Sequence, residues 1–231
     1  PWLKDLVNDV YLLTLSGQYK FDEKQAISAS VRYFSLGSIE FTDGLGNPIN
    51  SFRPREFGID IGYSRQLNDK NGVGIALKYI NSNLAGGQTV GSTTYKAGNS
   101  VAADLGWYHK GANWSWGAVL QNLGAKIAYT DNANAKDFIP ANLGLGANYT
   151  KKFNTTNQLS LGIEVNKLLV PTPPDPNTAT QADIDAYRNK GVLGSWFSSF
   201  GDAPDGFGEE LKEFQLGLGA EYWYNNQFAL R

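Results

Sequence analysis

The segment from Lys212 to Tyr224 alternates between apolar and polar or glycine residues without a break. The apolar positions are Phe214, Leu216, Leu218, Ala220, Tyr222 and Tyr224. A period of two is that of a β-strand, whose successive side chains point to opposite faces. A tilted strand needs roughly 9 to 11 residues to cross a bilayer. The length, the single apolar face and the aromatic end of this segment therefore predict a strand of a transmembrane β-barrel.

The same alternation recurs along the whole chain and predicts nine strands and part of a tenth. The predicted strands are Val10–Lys20, Gln25–Thr42, Arg55–Leu67, Val73–Leu84, Ser100–His109, Trp114–Tyr129, Ala141–Lys151, Gln158–Leu168 and Lys212–Tyr224, with a partial strand that stops at Arg231. The fold class is therefore an all-β, antiparallel, up-and-down transmembrane barrel. We expect residues 1–231 to be part of one barrel domain.

The connections between these strands alternate strictly in length. Tight turns near positions 22, 70, 112, 155 and 226 alternate with longer connections near 48, 91, 134 and 190. All short connections must then lie at one rim, as the periplasmic turns of bacterial outer-membrane barrels do. Aromatic residues gather beside the short turns, as expected of an interfacial girdle. They are Tyr19, Phe21, Trp107, Tyr108, Trp114, Trp116, Phe153, Trp223 and Tyr224.

Composition excludes several other classes of protein. No apolar run approaches the roughly 18 residues of a transmembrane helix. The mean hydropathy of −0.34 does not argue against a barrel, because barrel strands mix lipid-facing and lumen-facing residues. The net charge is −2, with 20 basic and 22 acidic residues and no basic run, so the sequence predicts no nucleic-acid binding. The alternative to a membrane barrel is a soluble β-sandwich or propeller, whose strands are usually about 5 or 6 residues long.

The sequence offers no set of residues for catalysis or metal binding. It contains no cysteine and a single histidine, His109, which lies among the girdle aromatics at a strand end. The near-copies LGLGANY and LGLGAEY lack the third glycine and the following helix of a nucleotide-binding fingerprint. We therefore expect a protein that is not an enzyme and that has no cofactor or metal.

The two ends of the sequence favour a fragment of a longer protein. The chain begins PWLKDLVNDV, without a methionine or a signal peptide. It ends NNQFALR, which is typical of a turn and the first half of a strand.

Charged residues also occur on the polar face of the predicted strands. We predict that six of them face the lumen: Arg32, Asp60, Lys78, Asp104, Glu164 and Glu221. Two interpretations stay open from the sequence. These side chains line a permeation path or ligand site, or they pair with one another and with water inside the barrel.

A large insertion at about 169–211 interrupts the series of strands. It opens with the proline-rich PTPPDPN, and TQADIDAYRNK predicts a short helix capped by Thr180. The segment GSWFSSFGDAPDGFGEE follows and carries four large aromatic residues: Trp196, Phe197, Phe200 and Phe207. Connections longer than about 15 residues are usually functional or disordered, and the aromatics argue against disorder. We expect them to be buried, either under the barrel mouth as a lid or against a partner protein, and we predict that they bind a partner.

Several segments resemble the PorV (LptO) family of outer-membrane barrels, which belong to the type IX secretion system of Bacteroidota. They are PWLKDLVNDVYL, SVRYFSLGSIEFTD, GIALKYINSNLA, LQNLGAKIAYT, FIPANLGLGANY and SSFGDAPDGFGEELKEFQLGLGAEYWYNNQFALR. The family is similar to FadL-type transporters and has 14 strands. The resemblance thus implies an outer-membrane location and strands beyond the ten or so predicted here.

The resemblance also implies a function that is not enzymatic. Members of the family associate with the large translocon barrel and accept secreted cargo proteins through C-terminal signal domains. They deliver this cargo to the cell-surface attachment machinery, where a sortase-like partner removes the signal. The expected partners are therefore outer-membrane lipid, the translocon, cargo and this attachment partner. The alternative function is a FadL-like transporter of hydrophobic small molecules, which predicts an apolar pocket behind the long connections.

Overall fold

The computed structural model describes residues 9–42, 44–132, 136–204 and 206–231, and it is dominated by one large antiparallel sheet. In chain order the strands are β1 (Val10–Lys20), β2 (Gln25–Leu36), β3 (Ile39–Thr42), β4 (Pro48–Phe52), β5 (Arg55–Gln66), β6 (Asn71–Asn83), β7 (Thr89–Val90), β8 (Thr93–Thr94), β9 (Gly98–Lys110), β10 (Trp114–Gly124), β11 (Ile127–Ala128), β12 (Lys136–Asp137), β13 (Asn142–Lys152), β14 (Gln158–Leu168), β15 (Phe214–Tyr224) and β16 (Phe228–Leu230). The helices are α1 (Gln181–Asn189), α2 (Val192–Ser198) and α3 (Phe207–Glu210), and a 3-10 turn follows at Leu211–Glu213.

Within the described residues, ten strands form the large sheet in the order β1-β2-β5-β6-β9-β10-β13-β14-β15-β16. Each long strand pairs antiparallel with the next long strand along the chain, which is the predicted up-and-down order. The six remaining strands form three small hairpins in the long connections. The predicted fold class is confirmed. Among the described residues, no helix has the length and apolar character that a membrane-crossing helix requires.

One face of the large sheet presents its apolar side chains to the surroundings. These exposed residues, the apolar belt, are Ile59, Ile61, Ile75, Leu77, Val101, Leu105, Leu161, Ile163, Leu216 and Leu218. Leaving a large aliphatic side chain half exposed to water costs about 1 kcal/mol. The belt would therefore cost on the order of 10 kcal/mol in water, as much as the whole stability of a typical domain. This face is suited to lipid, and the belt is what the sequence alternation predicts.

Two predicted strands are too long by several residues, and each has a left-handed residue within two positions of its observed end. The strand predicted to run to Thr42 stops at Leu36, because Gly37 has a φ of +83°. The chain then forms the separate β3–β4 hairpin. The strand predicted from Trp114 to Tyr129 ends at Gly124, after a register shift around Asn122, whose φ is 56°. Alternation of residue classes does not reveal either break.

The alternation of short and long connections is confirmed. The short connections are 21–24, 67–70, 111–113, 153–157 and 225–227, and the long ones are 37–54, 84–97, 125–141 and 169–213. Because consecutive long strands are antiparallel neighbours, the short connections share one edge of the sheet and the long ones share the other. We call these edges the short-turn rim and the long-loop rim.

Two of the nine predicted girdle aromatics lie on the polar face. Tyr108 is in register with Gly72 and Gly117 on that face. Trp223 is half-buried there, and its indole Nε1 donates a hydrogen bond to Glu221 Oε1 at 2.6 Å. The prediction was wrong for these two because each is directly adjacent to an aromatic on the apolar face. The other seven aromatics are exposed, and His109 packs near Trp107 with its Nδ1 3.0 Å from Asn71 Oδ1.

The apolar belt predicts how the protein responds to a charge at Leu218, which is 76% exposed in the middle of β15. We expect Leu218→Arg to lower the free energy of unfolding by about 2–4 kcal/mol, because the guanidinium must enter the hydrocarbon region. Denaturant unfolding in phospholipid vesicles measures the change. Leu45→Arg is the matched control, since Leu45 is exposed in the turn between β3 and β4. An equal effect of the two variants would show that β15 does not face lipid.

Candidate functional site

Helix α1 of the insertion begins as the sequence predicts, with Thr180 as its N-cap. The Asp183 backbone N–H donates to Thr180 Oγ1 at 3.3 Å, and the Thr180 backbone N–H donates to Asp183 Oδ2 at 2.8 Å. This reciprocal arrangement satisfies two backbone donors that a helix start otherwise leaves free. The hydrogen bonds from the Thr180 side chain and backbone hold the pKa of Asp183 below its ordinary value. The prediction of a capped helix is confirmed.

The C-terminal end of α1 rests on the long connection 125–141. Lys126 Nζ donates hydrogen bonds to the carbonyl oxygens of Arg188 and Lys190, each at 2.8 Å. A cation at this end of a helix is favoured by the helix dipole and by the free carbonyls. The same ammonium lies 3.9 Å from the ring centroid of Phe138, and burial lowers the pKa of Lys126. The Phe138 ring also packs edge-on against Tyr187, with 5.6 Å between centroids.

A buried ion cluster ties the two ends of the insertion together. Lys167, near the end of β14, is 1% exposed. Its Nζ lies 2.8 Å from Glu210 Oε1 in α3 and also forms an ion pair with Glu213. Thr172 Oγ1 lies 3.0 Å from Glu213 Oε1 and 3.1 Å from Asp202 Oδ1. These contacts join the start, the middle and the end of the insertion.

A second ion pair adds α1 to the same cluster. Lys190 immediately follows α1, and its Nζ lies 3.3 Å from Asp202 Oδ2.

Sequence reasoning did not single out Lys167. A signal was nevertheless present, because the alternation of β14 puts this lysine on the face that otherwise carries Leu159, Leu161, Ile163 and Val165.

The four insertion aromatics fall into two groups. Trp196 is half-buried beside the fully buried Ser195 and Ser199. The other three are exposed: Phe197 at 81%, Phe207 at 77% and Phe200 at 45%, although the Phe200 ring centroid lies 5.9 Å from Lys167 Nζ. The expectation that all four are buried was therefore wrong for Phe197, Phe200 and Phe207 within this chain. Their partner-binding role stays a prediction.

Phe197 and Phe207, the two most exposed phenylalanines of the insertion, each have an exposed leucine four residues away. Leu193 and Phe197 form such a pair on α2, and Phe207 and Leu211 form another across α3 and the 3-10 turn. Residues at this spacing lie on the same side of a helix. The insertion therefore presents two apolar pairs on helical segments that the ion cluster and the capped helix hold in place.

Four of the six charged residues predicted to face the lumen come together on the polar face. Arg32 pairs with Asp60 at 2.7 Å, and Lys78 pairs with Asp104 at 2.6 Å. Asn122 links the second pair, since it accepts from Lys78 Nζ at 2.9 Å and its backbone N–H donates to Asp104 at 2.8 Å. This arrangement neutralises two positive and two negative charges. Sequence reasoning missed Asn122, whose left-handed backbone creates the contact.

The other two predicted lumen residues lie elsewhere on that face. Glu164 accepts a hydrogen bond from Asn166 Nδ2 at 2.7 Å, and Glu221 pairs with Arg231 at 2.5 Å. The structure therefore does not bring all six residues into one site. Their role in a lumen stays a prediction.

The polar face encloses a recess of about 1140 Å³ toward the short-turn rim. Its wall includes inward glycines from several strands, namely Gly74, Gly106, Gly117, Gly146, Gly162, Gly217 and Gly219. Because one recess is lined by residues from β2 through to β15, the sheet must curve around it. Toward the long-loop rim, Ile127 and Ile139 of the connection 125–141 pack against Ala102 of β9. The interior therefore holds packed side chains beside β6 and β9 at that rim and a recess at the other.

Comparison with known proteins gives a matching family model and matches among solved structures. The family model described as "Type IX secretion system protein PorV" matches residues 1–175, which end at the start of the insertion. No match was found among curated proteins. A solved structure, the toluene transporter TodX of Pseudomonas putida, matches with 13% sequence identity and a TM-score of 0.39. The match covers 69% of this chain and 59% of the transporter chain.

The buried ion cluster predicts that Lys167→Met loosens the insertion. Removing the ammonium leaves Glu210 as an unpaired buried charge, which typically costs about 3–5 kcal/mol. We expect faster amide hydrogen exchange across residues 181–210 with unchanged exchange in β5 and β6. Lys212→Met is the matched control, because Lys212 is exposed in the neighbouring turn. Equal exchange in the two variants would show that the cluster does not hold the insertion.

Proposed function

Because this chain belongs to the PorV family of type IX secretion system proteins, we propose that it acts in protein secretion as a docking and shuttle barrel of the outer membrane. In this role the barrel binds the translocon and receives secreted cargo through the C-terminal signal domain of the cargo. It then passes the cargo to the attachment complex at the cell surface. The protein itself changes no covalent bond.

The observation that carries the docking part of this proposal is the exposed pair of Leu193 and Phe197 on α2. Aromatic and aliphatic side chains at protein interfaces contribute most when a rigid base presents them. Phe197 meets this condition, since the buried Ser195 and Ser199 fix the opposite side of α2. The hydroxyl of Ser195 donates to the Val192 carbonyl at 2.6 Å, and that of Ser199 donates to the Trp196 carbonyl at 3.0 Å. These bonds satisfy the buried hydroxyls and stabilise the short helix.

The position of the pair also supports a partner outside the barrel. The insertion belongs to the long-loop rim, which corresponds to the extracellular side of bacterial barrels. Two partners are reachable on that side: cargo that has already crossed the membrane, and the wall of the translocon. Proline residues at 171, 173 and 174 stiffen the entry to the insertion. Such stiffness limits the entropy that docking would cost.

The interior of the sheet fits the alternative transporter function poorly. That function predicts an apolar pocket behind the long connections. In the described part of the chain, Ile127, Ile139 and Tyr129 occupy part of this space by packing against β6 and β9. Charge pairs between Arg32 and Asp60 and between Lys78 and Asp104 cross the polar face. Both features oppose the passage of a hydrophobic molecule, so we do not propose transport.

The docking proposal predicts that Leu193→Ser combined with Phe197→Ser weakens binding to the translocon or cargo. An anchor at an interface contributes about 2 kcal/mol or more, so the Kd should rise roughly 30-fold or more. Quantitative co-purification of the full-length protein from detergent-solubilised membranes measures this loss. Deletion of residues 195–208 should abolish co-purification altogether.

The control variant is Leu45→Ser, which removes an exposed leucine from another long connection. It should leave co-purification unchanged. All variants should retain a heat-stable folded barrel on semi-native gels. Undiminished co-purification of the Leu193/Phe197 double variant would overturn the role assigned to α2.

A further inference from the structure

The side chain of Lys167 starts from the lipid-facing side of the sheet. Its register partners are Leu143 on β13 and Phe214 on β15. The next pair along the same face, Val165 and Leu216, leads into the apolar belt. Register partners share a face of the sheet, and no register shift interrupts β14. A lysine at this position would face lipid if nothing covered it.

The final part of the insertion covers it from outside. Lys167 is 1% exposed, whereas Leu216 and Leu218 on the same face are largely exposed. Ala141 and Leu169 continue the alternation of β13 and β14 on this face, and both are also buried. The groups gathered over Lys167 belong to Phe200, Glu210 and Glu213. Phe200 and the segment 207–213 therefore pack against the outer wall at the long-loop rim.

The contact between the insertion and Lys167 lies at the height of the membrane boundary. Strand β14 has 11 residues, which is about the length that one tilted pass requires, and Lys167 is its penultimate residue. The ammonium pairs with both glutamates, so the covered site holds no unpaired positive charge. The excess negative charge of the cluster is shared with Glu213, whose side chain is partly exposed. An element at this level must have an outer surface that suits the lipid interface.

The segment 207–213 has such a surface in Phe207 and Leu211. Both are exposed, they are four residues apart, and the segment runs directly into β15. The segment is continuous along the chain with β15, which carries Leu216 and Leu218 of the belt. We infer that the segment 207–213 is an interfacial anchor, with Phe207 and Leu211 inserted into the outer-leaflet boundary of the bilayer. Short amphipathic elements bind bilayers by burying an apolar face at this depth.

This inference is separate from the docking role of α2, which concerns Leu193 and Phe197. The argument for lipid as the occupant is continuity, because the belt below the segment already faces lipid over many strands. A protein wall in the same place would cover Phe207 and Leu211 only when that protein is present. Lipid covers them whenever the barrel is in a bilayer, and this difference provides the test.

The 231 residues contain no cysteine, so single cysteines can report position once any cysteine elsewhere in the full-length protein has been replaced by serine. We would place one cysteine each at Phe207, Leu211 and Lys212 of the full-length protein and label it with an environment-sensitive fluorophore. The protein is then reconstituted alone into vesicles of phosphatidylethanolamine and phosphatidylglycerol. Trace phosphatidylcholine carries a nitroxide either near the glycerol backbone or in the middle of the acyl chain. Cysteines at Leu218 and Leu45 serve as the deep and the aqueous references.

The labels at Phe207 and Leu211 should lose most of their emission to the shallow nitroxide and little to aqueous iodide. The label at position 212 should be quenched by iodide, since Lys212 is exposed and its charge is typical of a side chain that faces water. Strong iodide quenching at Phe207 and Leu211, equal to that at Leu45, would overturn the inference. Protection that develops only after the purified translocon is added would also overturn it and would assign the surface to a protein. Unchanged heat stability of each variant establishes that the label has not unfolded the barrel.

Discussion

The structure depends on backbone hydrogen bonds that each strand can make only with its neighbours. Lipid offers no donor or acceptor, so a strand in a bilayer must place its amides and carbonyls on adjacent strands. The antiparallel order from β1 to β16 does this with uninterrupted registers over most of its width. Once the backbone is satisfied in this way, the side chains decide only which face meets lipid. Every later feature of the molecule follows from that division into two faces.

The two faces of the sheet are stabilised in different ways. The apolar face needs no internal partners, because lipid solvates it. The polar face has to compensate its charges, and it does so with pairs that cross β2, β5, β6 and β9. Glycines such as Gly106 and Gly117 carry no side chain into the interior, which leaves the recess near the short-turn rim. The recess at the short-turn rim and the charge pairs therefore occupy different levels of the interior, since none of the four paired residues lines the recess.

The sequence predicted strands well where alternation was the only determinant. Strands β1 and β14 have the predicted bounds, because each is a regular run between polar turns. The sequence-based prediction failed at Gly37 and Asn122. The backbone has a positive φ at both residues, but the alternation of apolar and polar residues around them is still that of a strand. The face of Trp223 could have been derived, because Tyr222 and Tyr224 were already assigned to the other face. The burial of Lys167 could not, since it depends on Glu210 and Glu213 more than forty residues away.

The ammonium of Lys126 has a mechanical consequence. It fastens the last turn of α1 to a connection whose isoleucines fill the interior next to β9. A single side chain therefore connects two loops that are far apart along the chain. Separating the insertion from the connection 125–141 requires both of these hydrogen bonds to break, right beside the side chains that pack inside the barrel.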